Sequence, residues 1–560
     1  MPIEILEDRI APASVLVVSL ADSGPGTLRN AITTVDASTD STNNIVFANH
    51  LVGTILLKSP LPVITNSVTI GGTTDAKIAI DGANKFQIFN VNGSSINVNF
   101  EDLTLLYGNS ANVGYKTARG GGAMYISDNS GTVKISNCTI EHNRAIGISG
   151  AKDTSGLGGG LFLNGGTVDI TSSKITGNLV EGGHSTAASS TGRTAEGGGI
   201  YVGSGATVVL TLSTVSGNVA AGGFGTGGAR GANGAPQTAG SGGGNGGGGG
   251  AGQGGGIWNY GITTVVKSTI SGNVAIGGRG ANGGAGGHGG VGGAGGNGGE
   301  GGYAGYGQGG GIYSNGYSTV LTLNSSTVSG NVADGNISGI GGPGGLGGPG
   351  ARPGFHGYDP HRSPGTGGGV HSEYGALTTI DATIARNVAD KGGGIFLYEN
   401  GPTQLDNSTI AFNAARIARD GGGLWGYIQN SGSPVIVIST VIGDNVTGGR
   451  GAGQDLCMNT GQVITAYASL IESFTAASIS APNVKDFPVL ENLNPLLDPL
   501  HNNGGPTLTC LPANIRSPLI GAGTLPVDTG LPNMPSVPDD QRGHGRAVAG
   551  TVDIGAVEVA

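Results

Sequence analysis

The sequence predicts an all-β chain, a right-handed parallel β-helix (solenoid) with one-sided glycine-rich loop insertions, and three observations carry that expectation. First, a glycine triplet followed by an apolar residue recurs as GGGAMY at 120, GGGLF at 158, GGGIY at 197, GGGIW at 254, GGGIY at 309, GGGV at 367, GGGIF at 392 and GGGLW at 421. Second, each copy ends on a β-branched residue three before an asparagine: Asn143, Asn178, Asn218, Asn273, Asn331, Asn387, Asn413 and Asn445. Third, the insertions between one unit and the next triplet all fall at the same point of the repeat, so they must leave the solenoid on one edge.

The N-terminal elements come first. Residues 1–20 form a leader and 21–100 a cap with the first coils. Within Ala21 to Ile32, a short amphipathic helix is expected with Leu28 and Ile32 on one face and Arg29 outside. A solenoid needs such a cap to block pairing at its open end.

The repeat region spans 101–470. From the first triplet glycine to two residues past the asparagine, a unit holds 22 to 27 residues. Gly197 to Ala220 shows the expected content: GGGIYV, TVVLTLS and TVSGN are three β-branched runs separated by breaks. Such a unit buries too little alone, so it stacks on its neighbours about 4.8 Å apart in parallel pairing. Val215, Ile270, Val328, Ile384 and Ile410 should then form one internal file, and Ile200, Ile257, Ile312, Val370 and Ile395 another. The asparagines are expected in left-handed bends, their amides donating and accepting along an internal ladder. Asn109 is read as closing an earlier copy without a triplet.

Three insertions, 221–253, 276–308 and 334–366, are consecutive and each 33 residues long. The middle one keeps a triplet register through Arg279, Asn282, Ala285, His288, Val291, Ala294, Asn297, Glu300, Tyr303 and Tyr306. A period of three is that of polyproline II. Flexible linkers and packed glycine helices are both open; in the second case each loop runs out and back in two legs of about 45 Å, giving a flat six-leg brim. The third loop ends in ARPGFHGYDPHRSPG, where Phe355, His356, Tyr358, His361 and Arg362 make a candidate ligand-facing tip. His356 and His361 lack a third ligand at suitable spacing, so no metal and no cofactor is expected.

Residues 471–560 are read as a separate C-terminal domain. Asp539, Asp540, Arg542, Arg546, Asp553 and Glu558 are expected to form structural ion pairs there. Gly543-His544-Gly545 matches a tripeptide of polygalacturonases, but the accompanying aspartate motifs are absent. Asp169, Asp381 and Asp406 fall nine, six and seven residues before their closing asparagines, so they do not share one stack. No catalytic constellation emerges.

Several segments resemble known families. The pairing of GG[GA][ILV] with [IV]xxN, from roughly Leu103 to Asn445, resembles the repeats of polymorphic outer-membrane proteins and related adhesin passengers. ILEDRIAPA resembles the LEPR-type leader of large bacterial surface proteins, and ADSGPGTLRNAI the segment that precedes such β-helices. NPLLDPLHNNGGPTLTCLPANIRSPLIGAG at 494–523 with DDQRGHGRAVAGTVDIGAVE at 539–558 resembles the choice-of-anchor Q domain. These resemblances imply a secreted or cell-surface bacterial protein with an adhesive or structural role.

Composition agrees with that setting. Of 560 residues, 117 are glycine and only 11% are charged, with 26 basic against 36 acidic side chains and a formal charge of −10. No basic stripe is present, so nucleic acid is not an expected partner. No apolar run is long enough for a membrane helix, and ASVLVVSLA lacks the basic flank of a standard signal peptide. Cys138 aligns with core serines, while Cys457 and Cys510 leave a disulfide open. The expectation is an extracellular or cell-surface display protein with glycans or cell-surface components as partners, its oligomeric state unspecified. A carbohydrate-active β-helix and a binder of an ordered surface are the alternatives.

Overall fold

The computed structural model describes residues 13–72, 77–110, 120–127, 130–149, 155–417, 420–428, 433–448, 454–480, 488–524, 538–546 and 551–559. Nearly all of the leader motif lies outside the described residues. Every pairing between the described strands is parallel, as a coil that returns to its starting face with each turn requires. The solenoid is the right-handed parallel β-helix that the crossover rule favours.

One coil shows how sequence becomes structure. Ile200–Val202, Ala206–Thr211, Thr214–Ser216 and Val219–Ala221 are its four strands, where the repeat had predicted three. The fourth starts directly after the asparagine and is too short to show a period. Each strand pairs with its counterpart one coil down and one coil up, as in Leu161↔Ile200↔Ile257 and Ile175↔Val215↔Ile270. In the coils with long loops, two-residue strands such as Gly252–Gln253 and Gly307–Gln308 close the loop base onto the next triplet.

Alternation puts one apolar file inside each face. Val215, Ile270, Val328, Ile384 and Ile410 are consecutive partners, as are Ile200, Ile257, Ile312, Val370 and Ile395, and all are fully buried. The bends correct one expectation. The left-handed residue is the one before each asparagine: His142, Gly177, Gly217, Gly272, Gly330, Arg386, Phe412 and Asp444, with φ between 54° and 63°. That residue takes the bend, which leaves the asparagine out of the left-handed region with its side chain buried inside.

The cap helix spans Leu28–Asp36, with Thr27 as N-cap accepting from the backbone N–H of Asn30. Leu28, Ala31, Ile32 and Val35 are buried over the first coils. Arg29 lies off that face, tied to Asp22 at 2.6 Å and to the carbonyl of Ser59 at 2.8 Å.

The stack of Thr214–Ser216 and its counterparts, the third face of the solenoid, continues past 470, through Leu470–Ile471 to Leu490–Glu491. The chain then turns back, and the described part of 494–559 lies along the outside of that face. Thr327 donates to Leu508 O at 2.6 Å, Thr383 to Gln541 at 2.6 Å, and the Thr409 hydroxyl accepts from Ala556 N–H at 3.0 Å. Arg546, fully buried, donates from Nε to Asp381 at 2.9 Å and stands 3.8 Å from Glu558; Asp540 and Arg542 pair at 2.9 Å. Asp553 accepts from the Gly521 and Val559 N–H groups, and Asp539 forms an antiparallel bridge with Gly545. The Gly543-His544-Gly545 tripeptide forms a turn here, with the Asp540 N–H donating to His544 O. It belongs to this packing, where Asp540 accepts from the His544 and Glu558 N–H groups.

Candidate functional site

The three equal loops fold into a plate. Gly225, Gly228, Gly231 and Gly234 on the outward leg of the first loop donate to the carbonyls of Arg279, Asn282, Ala285 and His288 in the second, at 2.7–3.1 Å. Its return leg repeats the pattern through Gly240, Gly243, Gly246 and Gly249 onto Ala294, Asn297, Glu300 and Tyr303. The second loop bonds to the third in the same register, for example Gly283 to Ile340 O at 2.8 Å and Gly298 to Phe355 O at 2.8 Å. Extended threefold backbone has no internal hydrogen bonds, so its amides bond to neighbouring legs or to solvent.

The six legs form two layers of three, not one flat row. Gly244 and Gly299 bond across the layers within their own loops, to Ala229 O and Gly284 O, while Gly284 and Gly342 reach diagonally to Gly244 O and Gly299 O. Glycine is obligatory at such contacts: a Cβ on Gly298 would sit 1.7 Å from Gly342 O, and one on Gly284 2.0 Å from Ala229 O. At the third position of the triplet there is room, since a Cβ on Gly227 would lie 3.7 Å from Asn282 O. Each loop reverses in a tight turn with a left-handed residue at its third position, Gln237, Gly292 or Gly350.

Those turns are the true tips, and the proposed tip residues lie elsewhere. Phe355, His356 and Tyr358 sit on the return leg of the last loop, exposed on the plate's flank, with Phe355 79% accessible. The His361 carbonyl accepts from Ser338 Oγ. Arg362 lies at the base, in a close ion pair with Asp334 and 3.3 Å from Asp390. The five are neighbours in sequence, but the reversal at Pro349-Gly350 precedes them all, so they run down the return leg to the base. Ile337, Ile340 and Leu346 on the outward leg of the same loop are also more than half exposed. Among the described residues no group of three metal-ligating side chains occurs.

The asparagines run inside the solenoid. Asn143, Asn178, Asn218, Asn273, Asn331, Asn387 and Asn413 each donate backbone N–H and Nδ2 to the Oδ1 of the next asparagine at 2.9–3.0 Å. Nδ2 also donates to a carbonyl of the coil below, as Asn273 does to Val215 O at 3.0 Å. The far end is Asp455, whose Oδ1 accepts from Asn445 N–H and Nδ2, both at 2.9 Å. The near end is Gly108, whose N–H donates to Asn143; Asn109 is one residue past the rung and bonds to Asn84 O. A second file of Ser173, Ser213, Ser268 and Ser326 hydroxyls accepts backbone N–H groups at another bend, starting from Cys138 N–H. Burial pushes the Cys138 thiol up to about 12, and all three cysteines are free.

Outside the face built by Ile200–Val202 and its counterparts, the first face of the solenoid, runs an aromatic column. The residue after the inward apolar one is Tyr125, Phe162, Tyr201, Trp258, Tyr313, His371, Phe396 and Trp425 in successive coils. Tyr125, Phe162, Tyr201 and Trp258 stack in parallel with centroids 4.6–4.8 Å apart. The stacking then changes: Tyr313 meets His371 edge-on at 87°, and His371 tilts 49° to Phe396. This column is legible in the sequence as an aromatic or histidine following the GGG-apolar step.

At that change a cleft of about 510 Å³ opens where the plate's base meets the first face. Its walls include Tyr306, Gln308 and Thr366 from the loop bases, and His371, Glu373, Tyr374, Lys391, Phe396, Tyr398, Trp425 and Tyr427 from the coils. Tyr313 donates to Glu373 at 2.7 Å, and Thr366 Oγ1 lies 2.9 Å from His371 Nδ1. His371 Nε2 has no hydrogen-bond partner although the residue is only 2% exposed. Burial lowers the imidazole to about 3, so it is neutral at physiological pH. Lys391 stands over the Trp425 ring at 5.2 Å and pairs with Asp420 at 3.6 Å. Glu373 is the one carboxylate among the described lining residues.

No protein-family model matches the chain, and none of the curated proteins does. Among solved structures, the crystal structure of pectate lyase Pel9A is similar over 99% of this chain and 98% of its own, at 12% identity and a TM-score of 0.37. ORF18 of Geobacillus virus E2 is similar over 84% of this chain and 60% of its own, at 11% identity and a TM-score of 0.21. Neither likeness carries an argument about activity. The resemblances of the repeat and of the C-terminal segment rest on their motifs alone.

Proposed function

We propose that this chain is an extracellular or cell-surface display protein, a non-catalytic β-helical stalk whose glycine plate presents an adhesive surface. One observation carries the reading: three consecutive loops of equal length are joined by a regular hydrogen-bond lattice on one edge, with Ile337, Ile340, Leu346, Phe355 and Tyr358 held out to solvent. A lattice whose close contacts demand glycine, and whose last loop holds large apolar and aromatic side chains out to solvent, fits a contact surface better than a spacer. The motif resemblances to surface proteins and the low charge support the setting.

The test is binding of the fluorescently labelled full chain to bacterial and host-cell surfaces and to a glycan array. Replacing Ile340, Leu346, Phe355 and Tyr358 by serine should abolish retention while the solenoid's circular dichroism stays unchanged. Unchanged retention would contradict the assignment.

The carbohydrate-active reading has the aromatic cleft in its favour. Glycoside hydrolysis ordinarily uses a pair of carboxyl groups flanking the bond, and the cleft lining offers Glu373, already engaged by Tyr313. New reducing or unsaturated ends released from a polysaccharide panel would establish that reading; their absence supports display.

A further inference from the structure

We infer that the cleft at the plate's base is a binding site for an uncharged polysaccharide, with His371 Nε2 as its buried polar anchor. The inference goes beyond the adhesive role of the plate and does not depend on it.

Three features define the ligand. The first is the unpaired Nε2. A buried polar nitrogen without a hydrogen-bond partner is costly; His371 lines the cleft, and its Nε2 stands 3.8 Å from Glu373 Oε2, beyond hydrogen-bond reach. The role of Nδ1 against Thr366 depends on the tautomer, so Nε2 is either a donor or an acceptor. A sugar hydroxyl satisfies both cases, because it donates and accepts; a carboxylate satisfies only one.

The second is charge. Lys391 is compensated by Asp420, and Glu373 faces the same space, so an anionic glycan gains no uncompensated cation and meets a carboxylate. The third is shape. The walls come from four successive coils, from Gln308 through Thr366 and Lys391 to Trp425. At about 4.8 Å per coil the cleft spans about 14 Å along the axis, a length suited to an extended chain. Its first-face floor, Trp425 and Tyr398 among it, is aromatic with polar rims, matching the alternating C–H and hydroxyl surfaces of pyranose rings. A peptide strand finds no open edge here, since the first-face strands lining the cleft are paired on both sides.

The chain contains two tryptophans, and Trp258 lies in the buried part of the column away from the cleft. In full-length protein carrying Trp258→Phe, emission therefore reports Trp425. The experiment titrates this protein with cellohexaose, mannohexaose and xylohexaose, and separately with hexagalacturonate and a decaproline peptide. The inference expects saturable quenching or a shift with at least one neutral hexaose, weakened at least tenfold by His371→Phe, which keeps a ring in the column and removes Nε2. Tyr374→Ala at the rim provides the same test should His371→Phe fail to fold. Saturation by hexagalacturonate or decaproline alone, no response to any neutral hexaose, or a response untouched by these variants would overturn it. Serine substitutions on the plate should leave this titration unchanged, so the two readings fail separately.

Discussion

Asn445 places its backbone N–H and its side-chain Nδ2 on one carboxylate oxygen of Asp455, each at 2.9 Å, so a ladder of neutral amides ends on an acid. The other oxygen accepts from Ser473 Oγ at 2.6 Å. Burial raises the Asp455 carboxyl from 3.8 to about 6. The native state therefore binds more protons than the unfolded chain between about pH 4 and 6, and stability falls as pH rises through that window. The shift corresponds to about 3 kcal/mol. Denaturant midpoints of Asp455→Asn should fall less between pH 4.5 and pH 7.5 than those of the parent. Ser473 has lone-pair capacity to accept from the new amide. Parallel pH profiles would show that Asp455 is not the titrating end.

Removing an internal rung should cost more than removing an asparagine that lies beside the ladder. Asn273 accepts from Asn218 N–H and Nδ2 and donates to Asn331 and Val215 O. Asn273→Ala leaves these buried partners unpaired and should lower stability by about 1–3 kcal/mol. Asn109→Ala, off the ladder, should cost less. Equal denaturation midpoints for the two variants would contradict the rung assignment.

The plate distinguishes glycines by position. Gly298→Ala drives a methyl into Gly342 O, whereas Gly227→Ala makes only an ordinary contact, 3.7 Å from Asn282 O. Limited proteolysis should cut Gly298→Ala within 276–366 at least tenfold faster than the parent and leave Gly227→Ala at the parental rate. Equal rates would mean that the loops are not packed as described.

Thiol labelling follows burial. Cys138 and Cys510 are buried with their thiols pushed up to about 12, while Cys457 is half-buried. Maleimide at pH 7.5 should modify Cys457 first in native protein, read by peptide mass spectrometry; early labelling of Cys138 would contradict the serine-file position.

Much of the fold was legible because a solenoid repeats its physics in every coil. The inward Val215 and Ile200 files follow from alternation and a fixed unit, with no need to know the connections between distant segments. The asparagine positions were legible too, but not the division of labour at the bend, because Gly217 and Asn218 share one corner and only the backbone shows which of them is left-handed. The rung at Asp455 was not legible because it is supplied one residue before Leu456, in register with Gly423, and not by an [IV]xxN step. The Phe355 to Arg362 group was misplaced because the position of a reversal in threefold backbone is set by one turn, Gly348 to Ala351. The cleft depends on three elements meeting, the loop base at Gln308, the Tyr313 ring turned toward Glu373, and the return of the chain at Lys391, and no local pattern encodes that meeting.

The central claim is that the long loops form a bonded plate, and hydrogen exchange measured by mass spectrometry on the intact chain tests it most directly. The account predicts that amides across 222–251, 277–306 and 335–364 are protected for hours, with the tips at Gln237, Gly292 and Gly350 exchanging first. Complete exchange of these segments within seconds, at the rate of an unstructured glycine chain, would contradict it.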